Sequence, residues 1–168
     1  MTAVEARDER ERLAALEACA IMDTPREPAF DNLVFTAAQL FRVPMAMLTL
    51  IGSTRVWVKA CVGPLPTEWD RPHSFCQIVV DTNQMLIVED ATSDGRFTQT
   101  AGVLTPPHIR FCASAPLHGP SQHVIGALCV VDRHPRSVPD RQKIQLMQLA
   151  REAGELLRMR VPNLDLSA

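Results

Sequence analysis

Two segments near the carboxyl end of the chain have the hydrophobic pattern of a β-hairpin. In the first, apolar residues alternate with polar or small ones, as in a strand with one buried face. The apolar set is Ile109, Phe111, Ala113 and Ala115, and between its members stand Arg110, Cys112 and Ser114. The return segment, residues 124–131, is apolar apart from one glycine, which is typical of a strand covered on both faces. Residues 118–123 contain the Gly, Pro and Ser of a turn. The hairpin therefore places its second strand inside a sheet.

Helical periodicity dominates both ends of the chain. Residues 5–20 predict a helix, and a second helix follows with apolar positions at Phe30, Leu33, Val34, Ala37 and Phe41. A last helix begins near residue 138 and carries Leu146, Leu149, Ala150, Ala153, Leu156 and Leu157 on one side. Gly154 lies inside that stripe and weakens the helix, so we expect either compensating packing or a second helix that approaches closely.

A pair of strands is predicted at residues 44–51 and 55–62, and a further short strand at 85–88. Strict alternation puts Val56, Val58 and Ala60 inside the core and Trp57, Lys59 and Cys61 on the opposite face. Trp57 and Lys59 then form either an exposed patch or one wall of a cavity. Residues 63–71 contain three structure-breaking residues among the first four, which predicts a mobile loop of the kind that lies over binding sites.

Composition indicates one soluble, cytoplasmic domain. The chain has 168 residues, 46% of them apolar, and a net charge of −2. Interspersed charges give no electrostatic case for nucleic acid, and no apolar run approaches the roughly 20 residues of a membrane span. The five cysteines have no zinc-type spacing, so in a reducing compartment we expect five free thiols, none of them catalytic.

Several motifs occur in an order that resembles the GAF domain, a small-molecule-sensing module of bacterial signalling proteins. They are an "SFC" loop at residues 74–76, "VEDATSDGRF" at 88–97, "PPHIRF" at 106–111 and "GALCVVDR" at 126–133. The likeness covers residues 10–160, which predicts a single domain with that core and flexible ends at 1–9 and 161–168. It implies an α/β fold: an antiparallel sheet of five or six strands, terminal helices on one face and pocket-forming loops on the other.

The resemblance also implies a role. GAF modules stand ahead of histidine kinases and diguanylate cyclases, so we expect a sensor that acts on a kinase or cyclase output partner, for example in a two-component system. The broad apolar face of residues 144–157 predicts a homodimer through the terminal helices. Two alternatives remain open: a GAF fold that serves only in dimerisation or docking, and a freestanding free methionine-(R)-sulfoxide reductase.

Candidate ligand-binding residues follow from the predicted positions and the motifs. They are Trp57, Lys59, Ser74, Phe75, Cys76, Asp90, Arg96, His108, Arg110 and Cys112. Cationic groups beside an aromatic wall favour a small, partly apolar, anionic ligand of unknown identity. Asp90 and Arg96 could instead form a structural ion pair, and Arg110 could point toward the ligand or toward Asp90.

Cofactor and enzyme chemistry have weaker support. His73 and His108 flank the pocket loops but have no partner at metal-binding spacing, which favours no metal. The Cys-His dipeptide of bilin-binding GAF domains and the Asn-Lys-Phe-Asp-Glu motif of cyclic-nucleotide-binding ones do not occur. Reductase chemistry requires an attacking thiolate and a second cysteine, and Cys76 and Cys112 are the candidates for these roles. Cys19 and Cys129 stand in apolar sequence, which is typical of small core residues.

Overall fold

The computed structural model of the chain describes residues 2–72 and 74–162. A six-stranded antiparallel sheet forms its centre, with the order β3-β2-β1-β6-β5-β4. The strands are β1 Met45–Ile51, β2 Arg55–Val62, β3 Glu68–Asp70, β4 Leu86–Val88, β5 Phe111–His118 and β6 Val124–Asp132. The helices are α1 Ala3–Ala18, α2 Pro28–Phe41, α3 Phe75–Thr82, α4 Ala101–Leu104 and α5 Asp140–Met159. The predicted α/β architecture is confirmed.

The long helices α1, α2 and α5 cover one face of the sheet. Their apolar stripes and the side chains of that sheet face form a single hydrophobic cluster. The stripe of α5, including Leu146 and Leu157, is buried in this cluster. Gly154 packs against β5, because a Cβ atom there would lie 2.7 Å from the carbonyl oxygen of His118. The close neighbour of Gly154 is therefore a strand of the same chain, and the apolar face that suggested a homodimer is used in the chain's own core.

A second hydrophobic cluster lies on the opposite face, under α3, α4 and their loops. Strands β1, β5 and β6 have side chains in each cluster, so all three are buried along nearly their whole length. The prediction of one buried face for β5 was therefore wrong. Phe111 lies in the helix-side cluster, whereas Ile109 and Cys112 lie in the loop-side cluster.

A β-bulge in β2 overturns the predicted alternation of that strand. Leu48 pairs with Ala60 and Thr49 pairs with Val58, which leaves Lys59 as an extra residue between them. Ala60 consequently faces the helices together with Trp57, and Val58 and Cys61 face the opposite cluster. Because of this extra residue, each side chain of β2 beyond Lys59 lies on the opposite face of the sheet from the one that strict alternation would give it.

The ends and the 63–71 segment also differ from expectation. The first helix begins at Ala3, inside the segment 1–9 that was predicted to be a flexible end. The other predicted flexible end, 161–168, lies mainly outside the described residues. Residues 68–70 are not loop but β3, which pairs with the start of β2. Within residues 2–72 and 74–162, none of the helices combines the length and apolarity that crossing a membrane requires.

Candidate functional site

A cavity of about 880 Å³ opens on the sheet face that carries α3 and α4. Its walls come from β1, β2, the segment around β3, the start of α3 and the loop that contains α4. The lining residues are Met47, Arg55, Leu65, Pro66, Glu68, Trp69, Asp70, Pro72, Ser74, Phe75, Cys76, Arg96, Gln99, Thr100, Ala101, Gly102, Thr105, Pro106, Pro107 and Ile109. Apolar walls with a few polar groups are typical of sites for small molecules.

Local geometry at the start of α3 places three of the predicted residues, Ser74, Phe75 and Cys76, in the cavity wall. The Ser74 side chain accepts a hydrogen bond from the Gln77 amide at 3.2 Å and caps the helix. Helix α3 therefore starts at Phe75, and the side chains of Phe75 and Cys76 are both buried. Phe75 stacks on Phe97 with ring centroids 4.3 Å apart, which gives the cavity a rigid aromatic wall.

The two arginines that line the cavity are paired with carboxylates. Arg55 bonds Asp23 at 2.6 Å and Glu68 at 2.7 Å, and Arg96 bonds Asp94 at 2.7 Å. The hydrogen bond from Arg96 lowers the pKa of Asp94, so this carboxylate stays ionised. Half of the Arg96 side chain remains exposed. Its guanidinium can therefore exchange part of its contact with Asp94 for an anionic group.

Four predicted ligand-binding residues, Ser74, Phe75, Cys76 and Arg96, line this cavity. The expected wall of Trp57 and Lys59 does not form, because both side chains lie on the helix side of the sheet. Trp57 packs against the helix-side cluster. The fully buried Lys59 side chain forms an ion pair with Glu27 and donates to Thr24 Oγ1 at 2.8 Å.

The other predicted residues support the loops around the cavity. Arg110 donates to the carbonyl oxygens of Val103 and Ile109, both at 3.0 Å, and so ties α4 to the start of β5. Asp90 accepts hydrogen bonds from the amide and hydroxyl of Thr92, which lower its pKa, with a smaller contribution from the charge of Arg110. Arg96 is thus paired with Asp94 and not with Asp90.

His108 and Cys112 are placed differently from each other. His108 is exposed and stands just beyond the cavity residues Pro106 and Pro107. Cys112 is buried in the loop-side cluster, next to Ser114. His73 lies outside the described residues. Within the described ranges, no group of three or more His, Cys, Asp or Glu side chains could hold a metal ion.

Buried thiols occupy the layer beneath the cavity. The Cys76 side chain, which lines the cavity, has its sulfur 3.4 Å from Thr49 Oγ1 of β1. Cys129 lies 3.0 Å from the Ser114 hydroxyl, which is 3.2 Å from Cys112. Cys129 is fully buried in the loop-side cluster, as its apolar sequence context predicted.

A chain of ion pairs joins the cavity to the first helix. Arg71, which follows β3, bonds Gln77 of α3 at 2.6 Å and the carboxylate of Glu9 in α1. Glu9 also accepts from the buried Arg12 at 2.8 and 2.9 Å. Arg12 donates to the carbonyl oxygen of Ile51 at the end of β1. A movement of the β3 segment therefore changes the contacts of α1.

Several cavity residues were not predicted individually, above all Trp69 and Arg55. Trp69 belongs to the segment 63–71, whose Gly and Pro content predicted a loop over a binding site. Arg55 reaches the cavity because β3 pairs with the start of β2, bringing Asp70 opposite it. A three-residue strand has too short a pattern to be recognised in the sequence.

The arrangement of a six-stranded antiparallel sheet, terminal helices on one face and a loop-lined cavity on the other defines the class of protein. The GAF domain family model matches residues 25–156. The chain therefore belongs to the GAF domain family.

A curated relative and two solved structures add detail. A cyclic di-GMP phosphodiesterase of Pseudomonas aeruginosa is 31% identical over 145 residues, which cover 86% of this chain and 25% of that protein. The chain thus spans about a quarter of that relative's length.

Both solved structures share the fold at low sequence identity. The GAF domain of a phosphoenolpyruvate-protein phosphotransferase from Acinetobacter superposes with a TM-score of 0.65 at 14% identity, covering 95% of this chain and 96% of that one. The free methionine-R-sulfoxide reductase of Neisseria meningitidis, determined with its substrate, superposes with a TM-score of 0.62 at 16% identity, covering 96% and 92%.

Proposed function

We propose that this chain is a ligand-sensing GAF domain that regulates an output domain or partner in a signalling system. The observation that carries the proposal is the cavity of about 880 Å³, whose volume lies within the range of small-molecule sites. A rigid wall of Phe75 on Phe97, a facing Trp69 and the exposed half of Arg96 supply the contacts.

The signalling role is supported by the relative that hydrolyses cyclic di-GMP, since its similarity extends over 86% of this chain. The output proposed for this chain is accordingly an enzyme of second-messenger turnover or a kinase. A ligand controls such an output through its different affinities for two conformations of the domain.

The proposed ligand is small, partly apolar and anionic. Trp69 and Phe75 offer the apolar surface, and Arg96 offers the charge. Lys59 is paired with Glu27, and Arg110 donates to the Val103 carbonyl oxygen. The anionic group of the ligand is therefore proposed to bind Arg96 instead of these two residues. Glu68 and Asp70, which also line the cavity, disfavour a second negative charge, which restricts the ligand to a compact anion.

The proposed route of the signal runs from the β3 segment through Arg71 to Glu9 and so to α1. Ligand contact with Trp69 moves the segment that carries Arg71. Because Glu9 is shared between Arg71 and the buried Arg12, any shift of Arg71 alters how α1 is held on the sheet. Helix α1 is thus the proposed point of contact with the output.

We also propose a homodimer, through a smaller apolar surface than the face of residues 144–157 that the sequence predicted. Ile144 and Met159 of α5 are 59% and 80% exposed, and Val4 of α1 is 67% exposed. These side chains on the terminal helices are the available apolar contacts. Light scattering at high micromolar concentration distinguishes a dimer from a monomer.

Tryptophan fluorescence tests ligand binding most simply. In a Trp57→Phe background, Trp69 reports on the cavity alone, and a library of small anionic metabolites should contain members that change its emission. Arg96→Ala should weaken binding about tenfold, the loss of one charge-assisted hydrogen bond. Arg26→Ala is the matched control, because Arg26 also pairs with a neighbouring carboxylate, that of Asp31, but lies outside the cavity. Equal affinities for the two variants would overturn the role of Arg96.

A second candidate function is reduction of free methionine-(R)-sulfoxide, favoured by the thiols beneath the cavity and by the structural likeness to the Neisseria enzyme. Incubation of the reduced chain with methionine-(R)-sulfoxide, followed by thiol counting and detection of methionine, decides between the two. Stoichiometric methionine release with loss of two thiols would favour the reductase. An unchanged thiol count would favour the sensor.

A further inference from the structure

A groove of about 360 Å³ lies between α5 and the residue that precedes β4. Its lining residues are Met85, Lys143, Ile144, Met147, Gln148 and Arg151. None of these six residues lines the cavity under α3 and α4. The groove is therefore a surface separate from the proposed ligand site, and an inference about it does not depend on that site.

Two methionines and an isoleucine give the groove its apolar surface. Met85 and Met147 are half-buried, because each packs against the helix-side cluster. Ile144 is 59% exposed, so an apolar side chain that enters the groove removes part of it from water. Methionine side chains adapt to the shape of what they contact, which makes them frequent at surfaces that bind protein segments.

The charged residues that line the groove are both cationic. Arg151 is exposed, and its guanidinium forms no hydrogen bond or ion pair within residues 2–72 and 74–162. Lys143 pairs with Asp140 at 3.5 Å, but the Asp140 side chain is 92% exposed. An ion pair this exposed contributes little to stability, so Lys143 can exchange Asp140 for another carboxylate. The groove therefore offers two cations to an acidic partner.

The spacing along α5 specifies the pattern that such a partner must carry. Lys143, Met147 and Arg151 stand at i, i+4 and i+8 of the helix, so an apolar side chain lies between two cations along one side. The two cationic residues are separated by about 12 Å along the helix axis, at about 1.5 Å per residue. A second helix with carboxylates at i and i+8 and an apolar side chain at i+4 has the same spacing and the opposite charges.

We propose that this groove binds an acidic helical segment of a partner protein, in which a large apolar side chain stands between two carboxylates at four-residue spacing. The apolar side chain of the partner contacts Met85, Ile144 and Met147, as in other complexes where a helix lies in an apolar groove. The two carboxylates bind Lys143 and Arg151. These charges select the partner and speed its association, and the apolar contact slows its release.

A second copy of this chain does not offer the required pattern. Within residues 2–72 and 74–162, the large apolar side chains that are exposed are Val4, Phe35, Leu104, Ile144 and Met159. None of them has an Asp or Glu both four residues before it and four residues after it. The occupant proposed for the groove is therefore a different protein.

The test uses the full chain and two fluorescein-labelled helical peptides of equal length. One peptide carries Glu, Leu and Glu at i, i+4 and i+8, and the other carries Lys, Leu and Lys at the same positions. In fluorescence anisotropy titrations at low salt, the acidic peptide should bind at least about tenfold more tightly than the basic one. Its affinity should fall as salt is added, because the charges are exposed, and also when alanine replaces its leucine. Equal affinities for the acidic and basic peptides would overturn the proposal.

Variants on α5 locate the binding surface. Arg151→Glu should weaken binding of the acidic peptide about tenfold, and Ile144→Ser should weaken it through the lost apolar contact. Arg141→Glu is the matched control, because Arg141 is also an exposed arginine of α5 but does not line the groove. Equal weakening by Arg151→Glu and Arg141→Glu would contradict the assignment. Light scattering separates the other occupant: a dimer of the wild type that Arg151→Glu dissociates would assign the groove to a second copy and overturn the proposal.

Discussion

Replacing Glu9 by glutamine should destabilise the domain far more than the same change elsewhere on α1. The Glu9 carboxylate bonds two guanidinium groups, Arg12 with 5% of its side chain exposed and Arg71 with 12%. Glutamine has nearly the same shape but no charge. The substitution therefore leaves two largely buried cations without a counter-charge while it keeps the packing of the helix.

The size of the effect follows from the pKa of Glu9. Burial acts to raise that pKa, but hydrogen bonds and charges from Arg12 and Arg71 outweigh it and lower it from 4.5 to about 2. A shift of this size corresponds to about 3.5 kcal/mol at about 1.4 kcal/mol per pKa unit. Because 28% of the Glu9 side chain is exposed, solvent screening reduces the expected loss for Glu9→Gln to about 2 kcal/mol at pH 7.

The direction of the pKa shift of Glu9 determines how its contribution to stability depends on pH. The pKa of Glu9 is lower in the folded state than in the unfolded state, so its contribution is fully present above about pH 5 and is lost as the pH falls toward 2. Urea unfolding of the wild type and Glu9→Gln from pH 7 to pH 2 should show a gap of about 2 kcal/mol that closes at low pH.

Glu11→Gln is the matched control for this experiment. Glu11 pairs with Arg7 on the exposed side of the same helix, where the two side chains are 46% and 73% exposed. Its loss should change stability far less than the loss of Glu9, because solvent screens the exposed pair. Equal destabilisation by Glu9→Gln and Glu11→Gln, or a gap that stays constant from pH 7 to pH 2, would refute the reasoning.

Two further substitutions test the packing of the sheet. In thermal melts, Gly154→Ala should destabilise the domain by about 1–3 kcal/mol despite the better helix propensity of alanine, because its Cβ would lie 2.7 Å from the His118 carbonyl oxygen. Gly95→Ala is the control: no atom lies within 4 Å of the added Cβ, so stability should change by less than about 0.5 kcal/mol. Lys59→Met should cost about 1–2 kcal/mol through the lost bonds to Glu27 and leave ligand-induced changes in fluorescence intact. Stabilisation by Gly154→Ala, or loss of the fluorescence response in Lys59→Met, would contradict these expectations.

The sequence predicted the elements whose patterns are long and regular. Residues 124–131 are uninterrupted by charge, and they form the central strand β6 as expected. The stripe from Phe30 to Phe41 becomes the buried side of α2. Such patterns report directly on burial, since each apolar side chain of a continuous stripe must be covered by another element.

The candidate site was predicted less completely, because its geometry depends on contacts that sequence periodicity does not contain. Alternation along β2 does not tell which face the helices cover, and Trp57 and Lys59 face the helices instead of the cavity. The contact between Thr49 of β1 and Cys76 of α3 joins positions that lie far apart in the chain. The "SFC" motif nevertheless located one side of the cavity, because Ser74 caps the helix that presents Phe75 and Cys76.

Native mass spectrometry of the wild-type chain and Ala101→Trp, each mixed with a pool of small anionic metabolites, tests the central claim that the cavity binds a ligand. Ala101 is exposed at the edge of the cavity, so a tryptophan there should fill the opening without disturbing the core. We expect an added mass of one small molecule per wild-type chain that is absent from Ala101→Trp. No added mass on the wild type, or the same added mass on both chains, would contradict it.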